Sequence, residues 1–534
     1  MNDLFRSICR LPWPNLLTLF LIVPLAIDYF SPFADLDYTW QIRTGERIVQ
    51  TGRLSPPESF SYTVPGRPVD QVEWLYEVTL YAVWTTFGYG GLKLLRTLLV
   101  AATLLLLAWR LRREGVAPHG IILAVVAAIV TLCPFWNLRP LYCTTLGLLL
   151  VAGWLHDHCT GRRPLTWWLP VMMLLWGNAH PGVIVGQGLL LGAIAWEWLN
   201  RWVRLNPPLD RAACGRLTLI GGLGLAASLL GPNPLGRLLL PFSPEMRHPV
   251  MGIFEEMQPL YHFLLRPPYT VALAYPIAAL VGLTVVLGFR RYRLWEVALL
   301  TGLAVLANAA VRSVPDWVLL NLALGVPHLA ALVRRAEEQP ERTARCWLLA
   351  LRVNRFLRRE LASPRLRFQW GWPAAALAVL ALISLVPPLS RRMPIQDDPS
   401  WPKGALDWIE AQGLGGRFFS PPNYGSYVIW RLGDQGKCYV YTRGFCLPPE
   451  LLEDSHYVPQ LGPDWPARLE RVLAHGTDYF LLETTGPRGQ LWQSLRPHVG
   501  APLYLDEQTV LLSAAQVRRA LPLAFPSAIE TAGR

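Results

Sequence analysis

Apolar runs long enough to cross a lipid bilayer alternate with short polar connectors over most of the chain. They fall at about 15–34, 92–111, 118–136, 140–156, 165–179, 182–200, 217–233, 269–289, 294–312, 316–333 and 372–390. A hydrocarbon core of about 30 Å takes about 20 helical residues to span, so the pattern predicts an α-helical polytopic membrane protein with about eleven transmembrane helices. The run at 165–179 is short for that thickness, which predicts tilt or an end inside a cavity. Segment 71–88 is apolar too, but Glu73 and Glu77 interrupt it, so a helix lying at the interface is expected there. Arg6 and Arg10 precede the first run and no small-x-small cleavage site follows it. That pattern predicts an uncleaved signal-anchor helix.

The connectors set an orientation. With the N-terminus in the cytoplasm, the cytoplasmic loops receive Arg110, Arg112 and Arg113, then Arg162 and Arg163, then Arg201, Arg204, Arg211 and Arg216, and then Arg290, Arg291 and Arg293. Stretch 334–367 adds further arginines on the same side. The opposite loops are poorer in Arg, as the positive-inside bias requires. In this topology the unusual polar segments share the outer face. They are loop 35–70, Trp136-Asn137-Leu138-Arg139-Pro140, Asn178-Ala179-His180-Pro181-Gly182, loop 233–268 and Arg312-Ser313-Val314-Pro315-Asp316.

Residues 1–390 are therefore expected to form a transmembrane domain whose first outer loop covers 35–90. Residues 391–534 are expected to form an extracytoplasmic domain. From about 398 that region alternates helix-like stretches (406–411, 424–432, 466–474) with strand-like ones (417–420, 438–442, 478–483), and 503–512 reads as a closing strand or hairpin. Such alternation predicts a small α/β layer.

Composition agrees with a membrane location. The chain has 534 residues, 52% hydrophobic and only 16% charged, against about a quarter charged in soluble domains. The net charge of +12 lies in interhelical loops rather than in an aromatic-basic stripe, so no nucleic-acid partner is expected. No Walker or dinucleotide motif is present, which argues against a nucleotide-driven pump. Of eight cysteines, Cys438 and Cys446 fall in the outer domain. An oxidising compartment allows a disulfide between them, and two unpaired buried thiols are the alternative.

Candidate chemistry gathers on the outer face. Asp35 and Asp37 lie just beyond the first span. Either carboxylate could accept a proton as a general base, or the two could ligate Mg2+ or Mn2+ through oxygen. Asp37 could equally cap the helix that follows. Segment 38–51 suits a helix lying along the lipid surface and ended by Gly52, with Arg43 and Arg47 near lipid phosphate or substrate. Glu73 and Glu77 share one helical face. Arg139, beside Asn137, and Arg312 sit at outer ends of spans, where a guanidinium could hold the phosphate of a departing lipid or reach to headgroups. His180 could bind a phosphate or a metal, or be structural. Loop 233–268, with Glu245, Glu255, Glu256, Tyr261 and His262, is long and rather apolar and could cover part of a cavity.

The segment Asp35-Leu36-Asp37-Tyr38-Thr39-Trp40-Gln41-Ile42-Arg43-Thr44-Gly45 resembles the first outer loop of a group of bacterial polytopic proteins placed with the GT-C glycosyltransferases. That superfamily includes protein mannosyltransferases, the lipid A aminoarabinose transferase and the oligosaccharyltransferase catalytic subunit. The resemblance continues through Glu73-Trp74-Leu75, Asn137-Leu138-Arg139-Pro140, Asn178-Ala179-His180 and Asn233-Pro234-Leu235-Gly236. It resumes at Asn423-Tyr424-Gly425-Ser426-Tyr427.

The resemblance implies an inverting transfer of sugar from a polyprenyl-phosphate donor to a glycan, lipid or protein acceptor outside the cytoplasmic membrane of a bacterial cell envelope. Asp35 or Asp37 would be the base, sometimes helped by a divalent cation. Arg43, Glu73, Asn137, Arg139, His180, Arg312 and Tyr424 would contact substrate. The chain departs from the pattern at Gln41, where many relatives carry His, at Pro181, and at Tyr441-Thr442-Arg443-Gly444. A lipid or polysaccharide transporter or scramblase, or a non-catalytic scaffold on the same fold, are the competing readings. The transferase reading predicts a cavity joining Asp37, Arg139 and Arg312.

Overall fold

The structure is a computed structural model that describes residues 16–33, 35–338, 351–352, 354–356, 371–385 and 401–525. Arg6 and Arg10, most of stretch 334–367 and the expected domain junction at 390–391 lie outside the described residues.

Each of the apolar runs carries a helix. Length and composition suit five helices for crossing a membrane: Trp74–Arg113, Pro118–Phe135, Val183–Val203, Tyr269–Arg291 and Val311–Glu338. Leu294–Ala309 and Trp372–Leu385 are apolar but shorter. The expected count of about eleven spans is thus not reached by that measure. Helix Trp168–Ala179 has only 12 residues, as its short run predicts.

Segment 71–88 differs from expectation. It does not form a separate surface helix but runs into the next span as one helix of 40 residues, kinked at Gly88 with φ 60°. Glycine tolerates that conformation without a Cβ penalty. Glu77 is fully buried inside the protein, so the acids face a neighbour rather than water.

The helix Asp37–Thr51 is also a correction. A helix lying on lipid would expose one side, yet Tyr38, Trp40, Gln41, Ile42, Thr44, Gly45 and Ile48 are all buried. It wedges between helix Trp74–Arg113 and the C-terminal domain's helix Pro422–Leu432. Gly45 allows this approach, since a Cβ there would strike the backbone of Glu77. Gly52 ends the helix in the left-handed conformation (φ 66°) as predicted.

Several arginines counted as cytoplasmic charges are buried and paired. Arg110 meets Glu114 at 2.5 Å and Asp157 at 2.6 Å, and Arg293 meets Glu197 at 2.6 Å. These pairs tie together the ends of four helices that are distant in sequence.

The C-terminal domain is an α/β layer. Its five strands are β1 (Gly416–Phe419), β2 (Gly436–Cys438), β3 (Tyr479–Glu483), β4 (Tyr504–Leu505) and β5 (Thr509–Ser513). They lie in the order β2-β1-β3-β5-β4. β1 is parallel to β2 and β3, while β5 runs antiparallel to β3 and β4. The strand expected at 438–442 stops at Cys438, and the chain then turns toward the membrane domain. Segment 60–62 extends the sheet edge: the Cys438 amide donates to the Phe60 carbonyl at 3.1 Å, and the Tyr62 amide to the Cys438 carbonyl at 3.1 Å. Glu58 reinforces the junction by accepting the Tyr441 hydroxyl at 2.6 Å. Cys438 and Cys446 are both free thiols, so the disulfide is not formed. Burial pushes the Cys446 thiol up to about 12.

Candidate active site

A cavity of about 760 Å³ lies where the apolar helices, the segment around Asp35 and the C-terminal α/β region meet. One part of its wall is apolar, with Leu104, Leu132, Phe263, Val271 and Leu319. Its opposite wall is polar and belongs to the C-terminal domain, with Asn423, His456, Glu483, Arg488 and Gln508. Asp35, Asn137, Arg139, Glu256 and Arg312 lie on its wall, as does Tyr424.

Arg139 organises the acids. Its Nε contacts Asp35, its Nη2 lies 3.2 Å from Asp37, and its Nη1 contacts Glu256. Loop 233–268 supplies Glu256 and also places Ile253, Phe254 and Phe263 on the wall, the covering role expected of it.

Asp35 and Asp37 occupy different positions although they are two residues apart. Asp35 lines the cavity and accepts the backbone amide of Asp37 at 3.0 Å. Asp37 is not among the lining residues, although its side chain is 17% exposed against 12% for Asp35. The Trp40 indole donates to it at 3.3 Å, and Thr442 gives a further side-chain hydrogen bond. Burial, added to the neighbouring Asp35 charge, raises the Asp37 carboxyl above the ordinary range, against the lowering effect of Arg139.

Behind this group lies a second buried layer. Gln41 donates to Glu73 at 3.2 Å, and His180 Nε2 faces Glu73 at 3.9 Å. Burial pushes the Glu73 carboxyl up to about 7, opposed by the positive charge of Arg443. His180 Nδ1 accepts the Gly182 amide at 3.1 Å and meets the Thr144 hydroxyl at 2.6 Å. That fixes the neutral tautomer with its proton on Nε2. Burial, reinforced by Arg312, lowers His180 to about 3.

Arg443 reaches into this layer from the C-terminal domain. It donates to Gln71 at 2.5 Å, lies 3.9 Å from Glu77, and rests over the Trp40 ring at 4.9 Å.

Asp35, Asn137, Arg139, Arg312 and Tyr424 thus share one cavity, whereas Asp37, Glu73 and His180 are not among its lining residues. Arg43 is apart from it: the guanidinium binds Glu46 at 2.9 Å and the Trp430 carbonyl at 2.8 Å, which leaves it holding the helix to the C-terminal domain. Glu256, Thr442 and Arg443 also take part, beyond the candidate residues that the sequence offers singly. The departure at 441–444 was the only local signal for the last two.

The acids do not fit a divalent cation as arranged. Arg139 lies among the three carboxylates, and Gln41 supplies an amide donor to Glu73 rather than a ligand. Among the described residues no group of three or more His, Cys, Asp or Glu side chains is set to hold a metal ion.

No family model matches the sequence, and no curated protein matches it. Solved structures do. The apo oligosaccharyltransferase of Archaeoglobus fulgidus superposes with a TM-score of 0.50 at 9% identity, over 88% of this chain and 69% of that one. The archaeal oligosaccharyltransferase AglB from the same organism, in complex with an inhibitory peptide and a dolichol-phosphate, gives 0.51 at 10% identity over 87% and 69%. The A. fulgidus enzyme tethered to an acceptor peptide gives 0.51 at 9% over 87% and 68%. The chain therefore shares its overall fold with an archaeal oligosaccharyltransferase.

Proposed function

We propose that this protein is a membrane glycosyltransferase that moves a sugar from a polyprenyl-phosphate donor to an extracytoplasmic acceptor with inversion. One observation carries the reading. A single cavity combines an apolar wall, three guanidinium groups (Arg139, Arg312 and Arg488), carboxylates that include Asp35, and a polar wall from the C-terminal region. Those four features match a prenyl chain, a phosphate, a proton acceptor and an acceptor site. A neighbour of the same fold has been captured with a dolichol-phosphate and another with an acceptor peptide, which supports a lipid-linked donor and an acceptor in general.

Asp35 is the base in this scheme because it is among the residues that line the cavity. Asp35 takes the proton of the acceptor nucleophile as that atom bonds to the anomeric carbon. The bond from that carbon to the phosphate oxygen breaks, and polyprenyl phosphate leaves with the electron pair. Arg312 makes no hydrogen bond or ion pair with another side chain among the described residues, so its charge is available to the departing phosphate. Asp37 and Glu256 hold Arg139, which in turn orients Asp35.

The reading is checked with purified protein in lipid vesicles, a panel of polyprenyl-phosphate sugars and crude envelope acceptors, following release of polyprenyl phosphate. Asp35→Asn should lower release by about 10²–10⁴-fold. Absence of release with any donor, from folded protein that binds lipid phosphate, would favour a transporter or a silent scaffold instead.

A further inference from the structure

Arg139 is the only side chain among the described residues that meets Asp35, Asp37 and Glu256 together. Each of three guanidinium nitrogens takes a different carboxylate. The acids come from two distant segments, the first outer loop and loop 233–268, so the contact also joins those segments across the cavity rim.

A hard divalent cation prefers six or more oxygen ligands. To enter here it would have to draw the same carboxylates away from a permanent positive charge at contact distance, and like-charge repulsion opposes that. The planar fork, by contrast, already matches carboxylate geometry. A cation and Arg139 are therefore alternative occupants of one place.

We propose that Arg139 is the built-in cation of this site: it gathers the three acids and sets positive charge beside the cavity, and the protein takes up no Mg2+ or Mn2+ there. The function given to that charge rests on the glycosyl-transfer reading. The exclusion of metal does not, because it follows from the ion pairs alone.

The experiment uses full-length protein in detergent and Mn2+ as the probe. Bound and free Mn2+ are separated by their electron paramagnetic resonance signals, and thermal unfolding is followed in EDTA and in Mn2+. The wild type should bind no stoichiometric Mn2+ and unfold at the same temperature in both media. Arg139→Ala leaves three carboxylates facing one another. It should unfold several degrees lower in EDTA, bind about one Mn2+ per chain, and recover part of the loss when Mn2+ is added. A positioning arginine with no cation-like role would lose stability without acquiring the Mn2+ signal.

Two results would overturn the assignment. One is a wild type that binds one Mn2+ per chain and loses it on Asp35→Asn or Asp37→Asn. The other is a folded Arg139→Ala chain that takes up no Mn2+. Should Arg139→Ala fail to fold in either medium, the wild-type titration still decides. Metal binding is read without turnover, so failure of the glycosyl-transfer reading would show only in the donor-release assay.

Discussion

Glu73→Gln should stabilise the protein above neutral pH and leave it unchanged in acid. The carboxyl is buried, 8% exposed, and its raised value of about 7 compares with an ordinary 4.5. A carboxyl raised by folding stabilises the folded state while both states are protonated. The unfolded chain loses its proton first as pH rises through 4.5, and the folded state then loses stability until it also ionises near 7. The cost is complete above that value and comes to about 3 kcal/mol. Gln keeps the shape and can accept from Gln41, but it carries no proton to lose.

His180 complicates a wild-type profile taken alone. It is held neutral, with its value lowered from 6.5 to about 3, so it costs stability as pH falls from 6.5 toward 3. Between 4.5 and 6.5 the two groups act with opposite sign and mask each other. The difference between Glu73→Gln and wild type removes the histidine contribution. Thermal unfolding in detergent should give coincident curves at pH 4 and an advantage of a few degrees for the variant at pH 8. An advantage of equal size at both pH values would refute the reasoning, because it would come from packing rather than from ionisation.

Arg443→Gln should be strongly destabilising, by about 3–5 kcal/mol, since it strands the buried Glu77 carboxylate without its cationic neighbour; denaturation at pH 8 reads the loss, and a near-neutral variant would mean that Glu77 is already uncharged. Gly45→Val should cost at least about 1–3 kcal/mol by driving helix Asp37–Thr51 off the Glu77 backbone. Limited proteolysis within residues 53–70 should accelerate in that variant, and an unchanged digestion rate would place the two helices further apart than described.

The apolar runs each became a helix because hydrophobic length and local propensity are properties of contiguous residues. The α/β alternation beyond residue 401, the stop at Gly52 and the short helix at 168–179 were legible for the same reason. Polar segments expected on one face do meet: Asp35, Asn137, Arg139, Arg312 and loop 233–268 line one cavity. What failed were readings of exposure. Segment 71–88 and helix Asp37–Thr51 looked like surface helices because their charged residues suggest water, yet each is covered by a partner far along the chain. The arginines at 110 and 293 looked like free loop charges, yet each has a buried acid beside it.

Sequence alone therefore determined the membrane class, the helical runs and the set of polar segments from which a site could be built, because each is encoded by neighbours in the chain. Tertiary structure alone decided that Asp35 lines the cavity, that Glu256 completes the grip on Arg139, and that Thr442 and Arg443 enter from the C-terminal region. Those outcomes depend on contacts between residues far apart in sequence, which no local pattern records.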